Sequence, residues 1–110
     1  MDRLVEKRCT ACTPETPRIP ASELSQYLAQ APGFSADSAG TRIERTFRFK
    51  NYPETMMFVN AVAALAHRED HHPDLEVGYD KCKVSYSTHA IGGLSENDFI
   101  CAAKVNALVG

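Results

Sequence analysis

The chain has 110 residues, a length typical of one domain with a single modest core. Its formal net charge of −2 at pH 7 gives no electrostatic indication of binding to nucleic acid or to an anionic membrane. The apolar runs are too short to span a bilayer, and the first part of the chain lacks the apolar segment of a secretory signal. We therefore expect a cytoplasmic protein.

Residues 1–20 contain three prolines and no periodicity, which predicts an extended N-terminal lead before a folded domain at 21–110. The lead includes the motif "CTAC", formed by Cys9 and Cys12. The motif has no strand before it and no helix directly after it, which argues against a thioredoxin-like redox site. We interpret the pair as structural or incidental, with half of a metal site as the alternative.

The segment "SELSQYLAQ" has apolar residues at helical spacing and predicts a short amphipathic helix that ends near Pro32. The next segment, "GFSADSAGTRIERTFRFK", predicts a β-hairpin with its turn near Gly40. Its second strand alternates apolar and charged residues, so one face should meet a helix layer.

The segment "NYPETMMFVNAVAALAHRED" predicts the main helix, with Asn51 as N-cap and Glu54 completing a capping box. The helix should end before Pro73, because the residue that precedes a proline avoids the helical conformation. His71 and His72 are therefore predicted to lie just beyond the helix.

The segment "DLEVGYDKCKVSYSTHAIGG" predicts a second hairpin, with Leu75, Val77 and Tyr79 alternating before a turn at 80–81. A last helix should follow, capped by Ser95 with an acid at the third helical position. The order α-β-β-α-β-β-α predicts an α+β two-layer sandwich. Its four-stranded antiparallel sheet should have the helices packed on one face.

The four histidines are the main candidates for chemistry: His67, His71, His72 and His89. If the second hairpin folds back, His89 can approach His71 and His72, and three imidazoles could donate and accept protons near pH 7. Two alternatives stay open from the residues alone. One is a solvated helix end that carries histidines. The other is a metal site that uses His67 and His71 at i, i+4 spacing.

The motif "HHPD", followed by "STHAIGGLSENDF", resembles the pterin-4a-carbinolamine dehydratase family, and the resemblance extends over residues 9 to 108. It implies an α+β domain that assembles into a homodimer or homotetramer. It also implies a 4a-hydroxytetrahydrobiopterin dehydratase, a hydro-lyase that eliminates water from pterin-4a-carbinolamine to give quinonoid dihydropterin in tetrahydrobiopterin recycling.

The same resemblance implies the site. The three catalytic residues would be His71, His72 and His89; His71 and His89 would exchange protons while His72 holds the pterin. Four further residues would contact the substrate: Asp70, Pro73, Thr88 and Asp98. Asp98 has an alternative role as a helix cap alone.

The implied partners are a pterin substrate and further copies of the chain, with functional coupling to an aromatic amino acid hydroxylase. The reaction requires no metal and no cofactor, and neither nucleic acid nor membrane is expected as a partner. The alternative function is that of a catalytically weak paralogue that acts as a coactivator-type dimerisation module.

Overall fold

The computed structural model describes residues 1–109. Within that range the helices are α1 (Leu24–Ala29), α2 (Tyr52–Glu69) and α3 (Glu96–Leu108), and the strands are β1 (Ser35–Ala36), β2 (Ile43–Arg48), β3 (Asp74–Val77) and β4 (Lys81–Tyr86). Short 3₁₀ turns occupy Leu4–Glu6, Ala21–Glu23 and His89–Ile91. The predicted order of helices and strands is confirmed.

The four strands form one antiparallel sheet in the order β1-β2-β4-β3. The register places Ile43 opposite Tyr86 and Phe47 opposite Cys82, and all four side chains are buried. The opposite face is charged, with Lys83 forming ion pairs across the strands. This division of the sheet into an apolar and a charged face confirms the predicted α+β sandwich.

Helix α2 begins as the sequence predicts. The Asn51 side chain accepts a hydrogen bond from the Glu54 amide at 3.0 Å, and Pro53 occupies the first turn, where a missing N–H costs nothing. Four residues form its main apolar stripe toward the core: Phe58, Val62, Leu65 and Ala66. No helix in the described range is long and apolar enough to cross a membrane.

The second hairpin differs in detail from the prediction. Its turn lies one residue earlier, and Lys81 already begins β4. Val77 and Tyr79 are 44% and 66% exposed, so the predicted alternation does not produce burial there. These two side chains are exposed because β3 is an edge strand that ends at Val77, and because Tyr79 belongs to the turn.

The N-terminal lead has little regular structure, but it packs against the domain. Leu4 is 1% exposed and belongs to the core, and its amide donates to the Gln30 side chain at 2.7 Å. Lys104 of α3 donates to the Val5 carbonyl at 2.9 Å. The division of the chain between residues 20 and 21 stays a prediction.

Candidate active site

The end of helix α2 sets the position of the two neighbouring histidines. Asp70, which directly follows the helix, adopts the left-handed conformation with φ 51°. The His71 amide donates to the Ala66 carbonyl at 3.3 Å, the kind of bond that closes a Schellman ending. Pro73 opposes further helix. The prediction that His71 and His72 lie beyond the helix is confirmed.

Asp98 connects helix α3 to His71. Its carboxylate is fully buried, and one oxygen, Oδ1, lies 2.6 Å from His71 Nε2. The other, Oδ2, accepts from the Thr88 hydroxyl at 2.8 Å and from the Ser95 amide at 2.9 Å. Because Asp98 is the third residue of α3, this carboxylate both completes the capping box and contacts a predicted site histidine.

This hydrogen bond distinguishes the two ring nitrogens of His71. A carboxylate is an acceptor, so Nε2 carries the hydrogen, and Nδ1 of the neutral ring is an acceptor that remains for a ligand. The arrangement suits His71 for accepting a proton at Nδ1.

The ring of Tyr86, in β4, stacks on the ring of His71. The two rings are nearly parallel, with an interplanar angle of 7° and centroids 5.8 Å apart. Tyr86 is 1% exposed, and its burial raises the pKa of the phenol well above the ordinary value. Tyr86 therefore stays neutral and acts as an aromatic support that restricts the histidine ring.

His89 lies on a short closed turn after β4. The Thr88 amide donates to the Gly93 carbonyl at 2.8 Å, and the Gly93 amide donates back at 3.4 Å. Between them the chain makes the 3₁₀ turn and reverses at Gly92, whose φ of 59° favours glycine. The turn returns the chain to the N-cap of α3 and leaves His89 exposed at its start.

Arg18 of the lead braces this turn from outside. Its guanidinium donates to the carbonyls of Ile91 and Gly92. A Cβ atom on Gly93 would lie 2.9 Å from Arg18 Cζ, so the second glycine of "GG" leaves room for the guanidinium. The lead thus contributes to the position of the turn that carries His89.

The predicted residues meet at one open cleft of about 230 Å³. It is lined by Cys12, Asp70, His71, His72, Ser87, Thr88, His89 and Ala90. All three predicted catalytic histidines are therefore together, with two of the predicted substrate contacts. Asp98 lies behind the wall in contact with His71, and Pro73 does not line the cleft.

Two other cavities adjoin the cleft or exceed it in size. One, of about 260 Å³, shares Ser87, Thr88 and His89 with the cleft and extends to Arg42. Another, of about 350 Å³, lies between the lead and the start of α3 and contains no histidine. We place the candidate site in the cleft of about 230 Å³ because it alone among these three cavities brings His71, His72 and His89 together.

The fourth histidine is separate. His67 is exposed on α2 and does not line the cleft. The described residues contain no group of three His, Cys, Asp or Glu side chains placed to hold a metal ion.

The sequence did not indicate three residues that line the cleft, Cys12, Ser87 and Ala90. It also did not indicate three residues that support the site from behind or outside: Tyr86, Ser95 and Arg18. Ser95 was identified only as an N-cap, although its hydroxyl lies 2.7 Å from that of Thr88. The strand alternation that buries Tyr86 could have indicated a position near Thr88, two residues later on the same side. Arg18 had no local signal, because its contacts are more than seventy residues away in sequence.

Fold and site together define a small α+β domain with a histidine-lined cleft that is backed by a buried carboxylate. The family model described as pterin 4 alpha carbinolamine dehydratase matches residues 17–108. The chain belongs to this family, and the resemblance predicted from its motifs is confirmed.

Individual relatives agree with this assignment. The chain is 54% identical over 108 residues to a Nitrosospira multiformis protein described as "Putative pterin-4-alpha-carbinolamine dehydratase", with 98% of this chain and 94% of that protein covered. A Stenotrophomonas maltophilia protein with the same description is 52% identical over 105 residues, covering 96% and 90%. A crystal structure of "transcriptional coactivator/pterin dehydratase" from Brucella melitensis is 31% identical and superposes with a TM-score of 0.81. The match covers 86% of this chain and all of that one.

Proposed function

We propose that this chain is a 4a-hydroxytetrahydrobiopterin dehydratase that converts pterin-4a-carbinolamine to quinonoid dihydropterin. The observation that carries the proposal is the cleft itself, where His71, His72 and His89 meet and where buried Asp98 orients His71. Family membership supplies the substrate class.

The reaction is an elimination of water. The C4a–O bond breaks, the departing hydroxyl takes up a proton, and a ring nitrogen of the pterin loses one. No electrons are exchanged with a second molecule, so general acid and base groups suffice and neither a metal nor a cofactor is required. Imidazoles are suited to both transfers near neutral pH.

We assign the base to His71, because Nε2 is held by Asp98 and Nδ1 remains available. His89, on the exposed turn across the cleft, would protonate the leaving hydroxyl. His72 would hold the pterin together with Asp70, which also lines the cleft. The buried Thr88 hydroxyl already donates to Asp98, so it would act through the orientation of the network.

The predicted roles of Asp98 and Pro73 are indirect in this arrangement. Asp98 would orient His71, and Pro73 would keep the chain extended after the histidine pair.

The proposed assembly, a homodimer or homotetramer, is tested by light scattering at several protein concentrations. Coupling to an aromatic amino acid hydroxylase is tested by adding the chain to a hydroxylase reaction and measuring pterin recycling.

The direct test is the rate of quinonoid dihydropterin formation from the 4a-carbinolamine, followed by absorbance. His71→Ala and His89→Ala should each lower kcat by about 10²-fold or more, the usual contribution of one general acid or base. His67→Ala is a matched control, because the same side chain is removed from α2 outside the cleft. It should retain the wild-type rate.

A wild-type rate equal to that in buffer would refute the proposal. So would an equal loss of rate in the His67→Ala control, because the cleft would then not be the determinant.

A second candidate function has one observation in its favour, the description of the Brucella melitensis structure as a coactivator as well as a dehydratase. In this alternative the chain is a dimerisation module with weak or absent catalysis. Affinity capture of a stable partner, together with a dehydration rate equal to that in buffer, would support the alternative. Full activity without such a partner would exclude it.

A further inference from the structure

Two cysteines that are distant in sequence meet behind the candidate site. The sulfur of Cys9 in the lead lies 3.4 Å from that of Cys101 in α3, although 92 positions separate them. Cys101 is fully buried, whereas Cys9 is partly exposed, and both are free thiols. A disulfide has an S–S distance of about 2.05 Å, so the two sulfurs would have to approach by only about 1.3 Å.

The contact is held by the backbone on both sides of Cys9. Its amide donates to Glu69 Oε1 at 2.9 Å, at the end of α2. The next residue, Thr10, is bonded twice by the Asn97 side chain, which accepts from the Thr10 amide at 3.1 Å and donates to its carbonyl at 2.6 Å. Because these bonds fix the segment, the two thiols are kept together, which raises their effective concentration.

The two thiols differ in their exposure and therefore in which of them reacts first with an oxidant. The contact with Cys9 and burial raise the pKa of Cys101 far above its ordinary value, so Cys101 stays protonated and is shielded from oxidants. Cys9 is the partly exposed residue of the pair, whereas Cys101 is buried. Cys9 would therefore react first, and Cys101 would act as its resolving partner.

We propose that Cys9 and Cys101 form a reversible disulfide when the chain is exposed to a peroxide. In the first step the Cys9 sulfur attacks the peroxide, the O–O bond breaks, and Cys9 becomes a sulfenic acid while one alcohol or water leaves. In the second step the Cys101 sulfur attacks the Cys9 sulfur and displaces hydroxide, which takes the Cys101 proton and leaves as water. Two thiols lose two electrons in total, and the peroxide gains them.

The disulfide would tie the lead to α3 beside the candidate site. Cys12, three residues after Cys9, lines the histidine cleft, and its sulfur accepts a hydrogen bond from the Asn97 side-chain Nδ2 at 3.1 Å. A cross-link over most of the chain restricts the unfolded state strongly, so the oxidised protein should be more heat-resistant. The thiol chemistry uses no pterin and therefore does not depend on the proposed dehydratase function.

The experiment uses the full chain, reduced and then treated with one equivalent of hydrogen peroxide. Remaining thiols are alkylated, and the protein is digested without reductant for mass spectrometry. Before alkylation, the intact monomer should lose about 2 Da. After digestion, we expect a cross-linked peptide pair that contains Cys9 and Cys101, and dithiothreitol should reverse the cross-link. The thermal midpoint should rise by about 10 °C on oxidation.

Three variants make the assignment specific. Cys101→Ala and Cys9→Ser should each abolish the cross-link and the rise in the midpoint, so that one variant remains informative if the other fails to fold. Cys12→Ser is the matched control from the same "CTAC" motif and should keep both. A cross-link between Cys9 and Cys12, a cross-link between two chains, or an unchanged thiol count after peroxide would each overturn the proposal.

Discussion

Replacing Asp98 by asparagine changes the hydrogen bond to His71 while the hydrogen bonds to Thr88 and to the Ser95 amide can persist. The carboxylate makes three buried contacts, with His71 at 2.6 Å, Thr88 at 2.8 Å and the Ser95 amide at 2.9 Å. An amide oxygen can still accept from Thr88 and Ser95. The amide nitrogen then faces His71 Nε2 and, being a donor, forces that nitrogen to become an acceptor.

The expected loss of stability is small. Two of the three contacts persist, and the third changes from a charge-assisted to a neutral hydrogen bond, which costs about 1 kcal/mol of unfolding free energy. Asp98→Ala is the informative contrast, because it leaves the Ser95 amide and part of the Thr88 hydrogen bonding unsatisfied in a fully buried place. We expect that variant to lose roughly 2–4 kcal/mol.

The expected loss of activity is much larger. With Nε2 as acceptor, the hydrogen of neutral His71 moves to Nδ1, and the nitrogen that we propose as the base can no longer accept a proton. Loss of a correctly oriented general base lowers kcat by about 10²–10⁴-fold. This corresponds to roughly 3–5 kcal/mol of transition-state stabilisation, several times the loss in folding stability.

The measurements are kcat for quinonoid dihydropterin formation, the free energy of unfolding in urea, and the ¹⁵N chemical shifts of the His71 ring, which report its tautomer. The reasoning would be refuted by a folded Asp98→Asn protein whose kcat stays within about threefold of wild type, since a general base normally contributes far more. An unchanged His71 tautomer together with lost activity would refute the assigned cause.

Four further changes test separate parts of the structure. His89→Asn should lower kcat by about 10²-fold at an unchanged thermal midpoint, because the exposed imidazole contributes proton transfer rather than packing. Asp70→Gly should add about 0.5–1 kcal/mol of unfolding free energy by relieving its left-handed conformation, and it should raise KM because a carboxylate leaves the cleft. Burial opposes ionisation of Glu69, but the Cys9 amide and the charges of Lys104 and Arg8 outweigh it and lower its pKa. Glu69→Gln should therefore cost about 1 kcal/mol at pH 7 in urea unfolding, with the cost fading as the pH falls below the ordinary glutamate pKa of about 4.3. Tyr86→Phe should keep kcat within about threefold and leave unfolding free energy unchanged or higher, because the buried hydroxyl has no hydrogen-bond partner in the described range.

Each of these expectations has an opposite result that would contradict it. A normal kcat in His89→Asn would remove the proton donor from the scheme. An unchanged KM in Asp70→Gly would remove the carboxylate from substrate binding. A stability difference for Glu69→Gln that grows as the pH falls would reverse the assigned sign of the pKa shift, and a strong loss of kcat in Tyr86→Phe would give its hydroxyl a role that the geometry does not show.

The local structure of the chain could be predicted to a large extent because its signals are local. Asn51 and Ser95 cap their helices through side chains that reach backbone groups three residues away, and such spacing is readable in one dimension. Pro73 determines by covalent geometry that the histidine pair lies beyond α2. Edge strand β3 is where this reasoning failed, since the exposure of Val77 and Tyr79 depends on which strand is its neighbour.

The motifs around His71 and His89 were sufficient to assign the family, whereas the site geometry depended on tertiary structure. Folding brings the buried carboxylate of Asp98 within 2.6 Å of His71, stacks Tyr86 on the same ring, and places Cys9 against Cys101. These contacts join residues that are 15 to 92 positions apart, so neither periodicity nor capping patterns could reveal them. The sequence by itself determined the elements and the chemistry that they carry. Only the packing of α2, α3 and the lead around the sheet decided which nitrogen, oxygen and sulfur atoms face one another, because long-range contacts follow from burial of the shared core.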